Sequence, residues 1–439
     1  MAKQPMKVEI RSYQVGFGDC FLLSFIYSNS DKRHVLIDFG TTGLPGKTAQ
    51  PSKHMPVVAN DIKRECGGPN GRLTAVVATH RHKDHISGFG TDSQTGNSGS
   101  IIKSLQPKLV LQPWTEDPDA KRDAKQATKG SNRSRKGFVA GLASMHDVAQ
   151  QIASLAATNP SWMSASLRKE LSFLGSENIA NKSAVENLIA MGKAKGAAAR
   201  YLHFGASSGL EKLLPGVKVT VLGPPDLTQS EKIRKMRKKD PDQFWHLLAG
   251  STALRARSSL TSGLKAHNGK KGVSIPVEAR WFRDRLDRLR GQGLLEIVRS
   301  LDDQMNNTSL ILLFEVLGKK LLFPGDAQIE NWSYALEDAK NVKKIRALLA
   351  DVDLYKVGHH GSLNATPRKL LWEGFRKRKG KKLKTMLSTL PGKHGKTTSD
   401  TEVPRRTLLK ALKEESQLKN TDDLPFGKKP TLFNRFEIP

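Results

Sequence analysis

The stretch Thr79-His80-Arg81-His82-Lys83-Asp84-His85 packs three imidazoles and one carboxylate into six residues, His80 to His85. Imidazole suits zinc, iron and manganese, and a carboxylate among histidines suits hard or borderline ions. Four donors this close on one chain can hold metal if the backbone turn fans them around a point. They can also serve two neighbouring ions, with His80 and His82 facing one and Asp84 and His85 the other. The plain alternative is a polar turn that happens to be rich in histidine. It requires three of the chain's twelve histidines to fall together by chance.

Upstream of the cluster, Leu73 to Ala78 is a mostly apolar β run, so the ligands begin where a strand ends and a sheet can hold them in place. Val8 to Tyr13, Cys20 to Phe25 and His34 to Asp38 read as earlier strands separated by Gly and Asp turns. A helix is expected over Pro56 to Lys63, another from Ile101 to about Lys108, then a strand from Leu109 to Gln112. Val139 to Ala157, Trp162 to Phe173 and Ser183 to Lys193 have helical spacing. Val217 to Leu222 is a strand, Thr228 to Lys239 a charged helix, and Ser251 to Ser274 a Gly/Ser/Lys-rich mobile stretch. Ser309 to Leu317 and Lys320 to Pro324 read as a hairpin turning at Gly318. Asn331 to Leu349 is expected as a helix, Leu354 to Val357 and Thr385 to Ser388 as strands, and Arg406 to Leu412 as a last helix. Strands and helices in this order predict a layered α/β or α+β sandwich with helices outside the sheets.

The chain has 439 residues, 37% hydrophobic and 26% charged, long enough to bury a large core. Lys and Arg number 72 against 42 Asp and Glu, a formal charge of +30, which points to a polyanionic partner, nucleic acid before an anionic membrane surface. Two cysteines, Cys20 and Cys66, make neither a disulfide framework nor a zinc ribbon. Met1 to Arg11 has no apolar core of a signal peptide, and the longest apolar run, Leu310 to Phe314, is strand-sized. A cytoplasmic protein without a membrane span is expected.

The histidine cluster followed by Gly88 resembles the signature of the metallo-β-lactamase superfamily. Further blocks match in the same order: Val15-Gly16-Phe17-Gly18-Asp19-Cys20, Leu36-Ile37-Asp38-Phe39-Gly40, Asn307-Thr308-Ser309-Leu310, Phe323-Pro324-Gly325-Asp326-Ala327 and Lys356-Val357-Gly358-His359-His360-Gly361-Ser362. This set resembles the soluble hydrolase domain of DNA-uptake competence proteins, the ComEC-like branch, over about residues 8 to 410. The resemblance implies one metallo-β-lactamase domain over 1–439, an αββα four-layer sandwich, with a helical and basic insertion at 115–215 and a second basic insertion at 226–300. It implies two divalent ions, Zn or Mn: His80 and His82 on one, Asp84 and His85 on the other, Asp326 bridging, and His359 completing the second with His360 near the substrate. Asn307 stands where many relatives carry another histidine. Asp38 is expected to orient a ligand histidine, with Asp19 as a second supporting carboxylate, and His360 or His394 to protonate a leaving group.

Two ions sharing a hydroxide can drive attack on phosphorus without a Ser or Cys nucleophile. The expected function is therefore a metal-dependent phosphodiesterase or nuclease on DNA or RNA, with Asp84 essential. The alternatives are a hydrolase of a small ester, lactone, amide or nucleotide, and a metal-containing nucleic-acid-binding protein without catalysis. Lys121 to Lys136 holds seven Lys/Arg and one acid, Asp123. Two runs are denser: Lys232 to Lys239, with Lys235, Arg237, Lys238 and Lys239, and Arg376 to Lys384, opening with Arg376, Lys377 and Arg378. Aromatics are only 6% of the chain and are not interleaved with these runs, so sequence-independent backbone contact is expected rather than base stacking.

Overall fold

The computed structural model of the chain describes residues 3–46, 48–118, 182–226, 228–230, 306–362, 365–376, 382–395, 402–427 and 431–439, with six single positions between 158 and 171. The chain divides into two compact units, one of residues 1–138, 180–230 and 305–439, the other of 139–179 and 231–304. Residues 182–223, in the first unit, form two helices and two strands. The helix expected over Val139 to Ala157, the mobile stretch Ser251 to Ser274 and the basic residues Lys235, Arg237, Lys238, Lys239, Lys377 and Arg378 lie outside the described residues.

In chain order the strands are β1 (Lys7–Tyr13), β2 (Cys20–Ile26), β3 (Lys32–Phe39), β4 (Ala75–Val77), β5 (Leu109–Pro113), β6 (Ala198–Leu202), β7 (Lys218–Gly223), β8 (Ile311–Val316), β9 (Lys319–Phe323), β10 (Leu354–Lys356), β11 (Leu383–Leu387), β12 (Ser416–Asn420) and β13 (Phe433–Ile438). They form two mixed sheets, ordered β13-β1-β2-β3-β4-β5-β6 and β12-β11-β10-β9-β8-β7. In the first, β13, β1, β2 and β3 are antiparallel neighbours and β3 to β6 run parallel. In the second, β7, β8 and β9 are antiparallel and β9 to β12 parallel.

Strand alternation sorts the apolar residues to two faces. Phe21, Leu23 and Phe25 of β2 join Leu312 and Phe314 of β8 and Leu321 and Phe323 of β9 in one core shared by the sheets. The opposite faces are covered by helices. Leu22, Leu36 and Val76 meet Val58 and Ile62 of α1 (Pro51–Glu65), Ile102 of α3 (Ser98–Ser104) and Leu188 of α4 (Lys182–Gly192); the four-residue α2 is Lys83–Ile86 and α5 is Leu210–Leu213. Ile311, Leu313 and Leu322 meet Trp332 of α6 (Ile329–Ser333), Ile345 and Leu349 of α7 (Val342–Ala350) and Leu412 of α8 (Arg406–Glu415). The molecule is thus a mixed α/β protein whose strands, buried on both faces, read as continuous apolar runs. Among the described residues no helix is long and apolar enough to cross a membrane.

Several boundaries differ from the sequence expectation for local reasons. α1 opens at Pro51, where a missing N–H costs nothing, and runs through Pro56. The helix expected over Asn331 to Leu349 is interrupted: Tyr334–Asp338 forms a wide turn, Ala339 is extended, and the freed Leu336 carbonyl accepts from Arg346 Nε at 2.8 Å. The β8–β9 hairpin turns at Leu317-Gly318, both left-handed (φ 52° and 66°), the conformation that a two-residue turn between twisted strands requires. β6, β12 and β13 had no clear signal, since Ala-Ala-Arg-Tyr-Leu, Ser-Gln-Leu-Lys-Asn and Phe-Asn-Arg-Phe-Glu-Ile are polar, partly exposed strands.

His34, paired across from Ser24 on β2, is buried and shares a 2.9 Å hydrogen bond with the Ser24 hydroxyl. Burial holds its imidazole down at about 4, whereas in the unfolded chain it titrates near 6.5. Its stabilising contribution is complete above the unfolded value and is lost as pH falls from there toward 4. His34→Gln is expected to remove this dependence: between pH 7 and 4 the variant should lose up to about 3 kcal/mol less stability than the parent. Urea midpoints at a series of pH values check it, and parallel curves for the two proteins would contradict it.

Candidate metal centre

The parallel strands of both sheets end on one another's functional residues. Asp38 and Gly40 lie at the end of β3, Thr79 to His85 follow β4, Asp326 follows β9, His359 and His360 follow β10, and Ser388 follows β11. Asp19 precedes β2, whose start lies beside the end of antiparallel β3. The sheets are stitched together here: Leu310 N–H donates to the Thr79 carbonyl at 2.9 Å, and Ser388 Oγ donates to the Gly18 carbonyl at 2.5 Å. Asp19 N–H donates to the Asp84 carbonyl at 2.9 Å. Only glycine fits at residue 40, because a Cβ there would stand 2.5 Å from the backbone of Asp84 and His85.

Asp84, His85, Asp326 and His360 converge, all buried, each offering a donor atom within 4.8 Å of the others. His85 Nε2 lies 3.0 Å from Asp326 Oδ2 and 3.9 Å from Asp84 Oδ2. His360 Nε2 lies 2.8 Å from Asp84 Oδ2 and 3.6 Å from Asp326 Oδ2. Donors held tetrahedrally about 2.1 Å from an ion stand roughly 3.4 Å apart, and these spacings bracket that figure.

The far nitrogens fix the tautomers. His85 Nδ1 donates to Asp38 Oδ2 at 2.8 Å, and His360 Nδ1 donates to the Ser388 carbonyl at 3.0 Å. Each ring therefore presents Nε2 to the carboxylates, a lone pair facing lone pairs unless a cation lies between. Asp84 Oδ1, Asp326 Oδ2 and His85 Nε2 are buried without a hydrogen-bond partner, and buried polar groups left so are costly. The donor set, two imidazoles and two carboxylates, fits a borderline divalent ion such as zinc or manganese. Without one, protons fill the gap. Burial opposes charge on His85, but Asp326, Asp84, Asp38 and Asp19 raise its pKa well above the ordinary value. His360 is raised likewise against burial, by Asp326, its bond to Asp84, and Asp19. Asp84, despite burial, is lowered by His85 and His360.

His80 and His82 stand beside this cluster rather than in it. His80 stacks on His85 with ring centroids 4.1 Å apart, and its Nε2 faces His82 Nδ1 at 3.0 Å. Its Nδ1 lies 3.2 Å from Thr79 Oγ1, which donates to Asp38. The carboxamide near His82 is that of Asn306, 3.1 Å from Nδ1, and not that of Asn307. Asn307 is also buried, and its side-chain atoms have no hydrogen-bond partner. β8 itself begins at Ile311, later than the expected Ser309.

The assignments of the paired histidines are exchanged. His360 joins the cluster, whereas His359 is half-buried, with Nδ1 2.8 Å from Ser362 Oγ and its backbone N–H on Asp326 Oδ1. Both residues are left-handed (φ 47° and 51°), so the chain reverses here and carries the second imidazole, not the first, inward. Burial lowers His359 to about 4. His394 is partly exposed and approaches the cluster through Phe17, whose ring lies 4.4 Å from His360 and 6.1 Å from His394. Arg376 is exposed and pairs with Asp351 at 3.3 Å.

Sequence reasoning passed over Lys356. It is buried, donates to the Gly325 carbonyl at 2.9 Å and Asp326 Oδ1 at 3.1 Å, and ion-pairs with Asp19. A lysine in an otherwise apolar, fully buried strand was the available signal. Compared with models of protein families, the chain matches none, and no curated protein is significantly similar to it.

Because the surrounding carboxylates raise both His85 and His360 above the ordinary imidazole value, metal uptake is expected to displace protons, and affinity to rise with pH. Calorimetric titration with Mn²⁺ or Zn²⁺ in buffers of different ionisation enthalpy measures the protons released. Saturation at one hundred times Kd should add about 2.7 kcal/mol of stability. Uptake without proton release would contradict the arrangement.

Proposed function

We propose that this chain is a metal-dependent hydrolase of the metallo-β-lactamase fold, a phosphodiesterase acting on nucleic acid, DNA first. The observation that carries this reading is the convergence of Asp84, His85, Asp326 and His360 with carboxylate and imidazole lone pairs turned toward one another. Two mixed sheets with helices on their outer faces are consistent with the four-layer αββα arrangement that the sequence motifs resemble. The formal charge of +30 favours a polyanionic substrate.

Divalent ions held here, Zn or Mn, would supply Lewis acidity and lower the pKa of water toward neutrality. Asp84, His85, Asp326 and His360 would hold the first, and His80 and His82, with Asn306 beside them, would offer donors to a second. Asp38 orients His85 through its Nδ1, the Ser388 carbonyl orients His360, and Thr79 relays the Asp38 carboxylate to His80. His359 is half-buried at the edge of the centre, and burial keeps its imidazole neutral near pH 7. Phe17 packs on His360 and keeps water from that side of the ring.

Linear double-stranded, circular and single-stranded DNA, and RNA, should be offered with Mn²⁺ or Zn²⁺ to the parent protein and to Asp84→Asn. Degradation is expected with the parent only. The variant should lose more than the ~10–100-fold that removal of an outer hydrogen-bond partner costs a metal site. Binding to Asp84→Asn should weaken steeply with added salt. Equal cleavage by the variant would refute the metal assignment. Turnover of a small ester alone, with no polymer cut, would replace the nucleic-acid reading.

A further inference from the structure

Resting on the metal-centre reading above, we infer that Lys356 is a positioning residue that confines Asp326 to one metal-facing oxygen. Lys356 sits in the middle of the centre's supporting shell and is 2% exposed. Its ammonium is fully engaged, on the Gly325 carbonyl, on Asp326 Oδ1 and on Asp19. Asp326 Oδ1 accepts a second bond, from the His359 backbone N–H at 3.0 Å. With Oδ1 held by two donors, Oδ2 alone turns toward His85 and His360, at 3.0 and 3.6 Å. A carboxylate free at both oxygens could instead chelate one ion and draw it away from the neighbouring imidazoles. A fixed one presents the same atom to every ion that enters.

The same ammonium balances charge. Asp19, Asp38, Asp84 and Asp326 are four buried carboxylates within one centre. Asp19 Oδ2 lies 3.7 Å from His85 Nδ1, and Asp19 Oδ1 lies 3.6 Å from His360 Nδ1, so this carboxylate stands behind both ligand rings. Lys356 pairs with Asp19 on one side and Asp326 on the other, which lets Asp19 remain close to the rings without competing for the ion. An uncharged side chain at 356 would leave Asp19 as an unpaired buried carboxylate, so the single variant is exposed to misfolding.

The test uses Asp19→Asn/Lys356→Met, which removes one charge of each sign and keeps the net charge of the centre. Any change in metal affinity then reports the orientation of Asp326 rather than the field. Full-length parent, the double variant and Asp19→Asn alone are titrated with Mn²⁺ by calorimetry and with Co²⁺ by visible absorption. Asp19→Asn retains the Lys356–Asp326 bond and should keep the parent's Co²⁺ spectrum. The double variant should bind Mn²⁺ ~10–100-fold more weakly, as loss of an outer partner does, and its Co²⁺ bands should change in intensity and position. Parent-like affinity and spectrum in a folded double variant would overturn the role given to Lys356. Failure of the parent itself to take up Co²⁺ or Mn²⁺ would overturn the metal centre and this inference together. Absence of nucleic-acid cleavage, with the metal titrations as expected, would leave the Lys356 inference standing and remove only the proposed substrate.

Discussion

The controlling constraint in this protein is a buried excess of negative charge. Asp19, Asp38, Asp84 and Asp326 are carried to one place by strand ends and turns of two sheets, where water is excluded. Carboxylates in such surroundings persist as anions only beside cations or strong hydrogen-bond donors. Lys356 supplies a permanent cation, while His85 and His360 supply positions that a proton or a metal ion can fill. The surrounding backbone is shaped to the same end: Gly40 admits the Asp84–His85 turn, and the left-handed His359–His360 pair directs the second ring inward.

This arrangement also explains why the sheets meet where they do. The inter-sheet core of Phe21, Phe314 and Phe323 brings the sheets together, but it is non-directional and leaves their registration to polar contacts. Leu310 to Thr79, Ser388 to Gly18 and Lys356 to Asp19 are specific links across the interface, and all lie around the candidate metal centre. Stability and site geometry are therefore not separable at this edge of the molecule.

Much of the two-sheet α/β fold was legible in the sequence, because strands buried on both faces are long apolar runs with little ambiguity. β1 to β4 and the β8–β9 hairpin fell close to their expected places. The polar strands β6, β12 and β13 were missed, because partial exposure removes the pattern that identifies a strand. At the centre, Asp84, His85 and Asp326 followed from motif and resemblance. The exchange of His359 and His360 did not, since it depends on two left-handed residues in succession, which spacing does not encode. The carboxamide beside His82 is Asn306, one position before the residue that the resemblance pointed to. Lys356 was hidden by its apolar neighbours, Leu354, Tyr355 and Val357.

The centre draws on residues separated by most of the chain's length: Asp19 from the first strand turn, Asp84 and His85 from the fourth strand, Asp326, Lys356 and His360 from the second sheet, and Ser388 behind them. Such a constellation has a high contact order, and its loops must close before any of its contacts can form. No folding intermediate built on one sheet alone contains it. During synthesis, the early strands therefore present histidines and carboxylates without a complete cage, and the full set of buried donors is assembled only once the residues through Ser388 have been made and the sheets have docked.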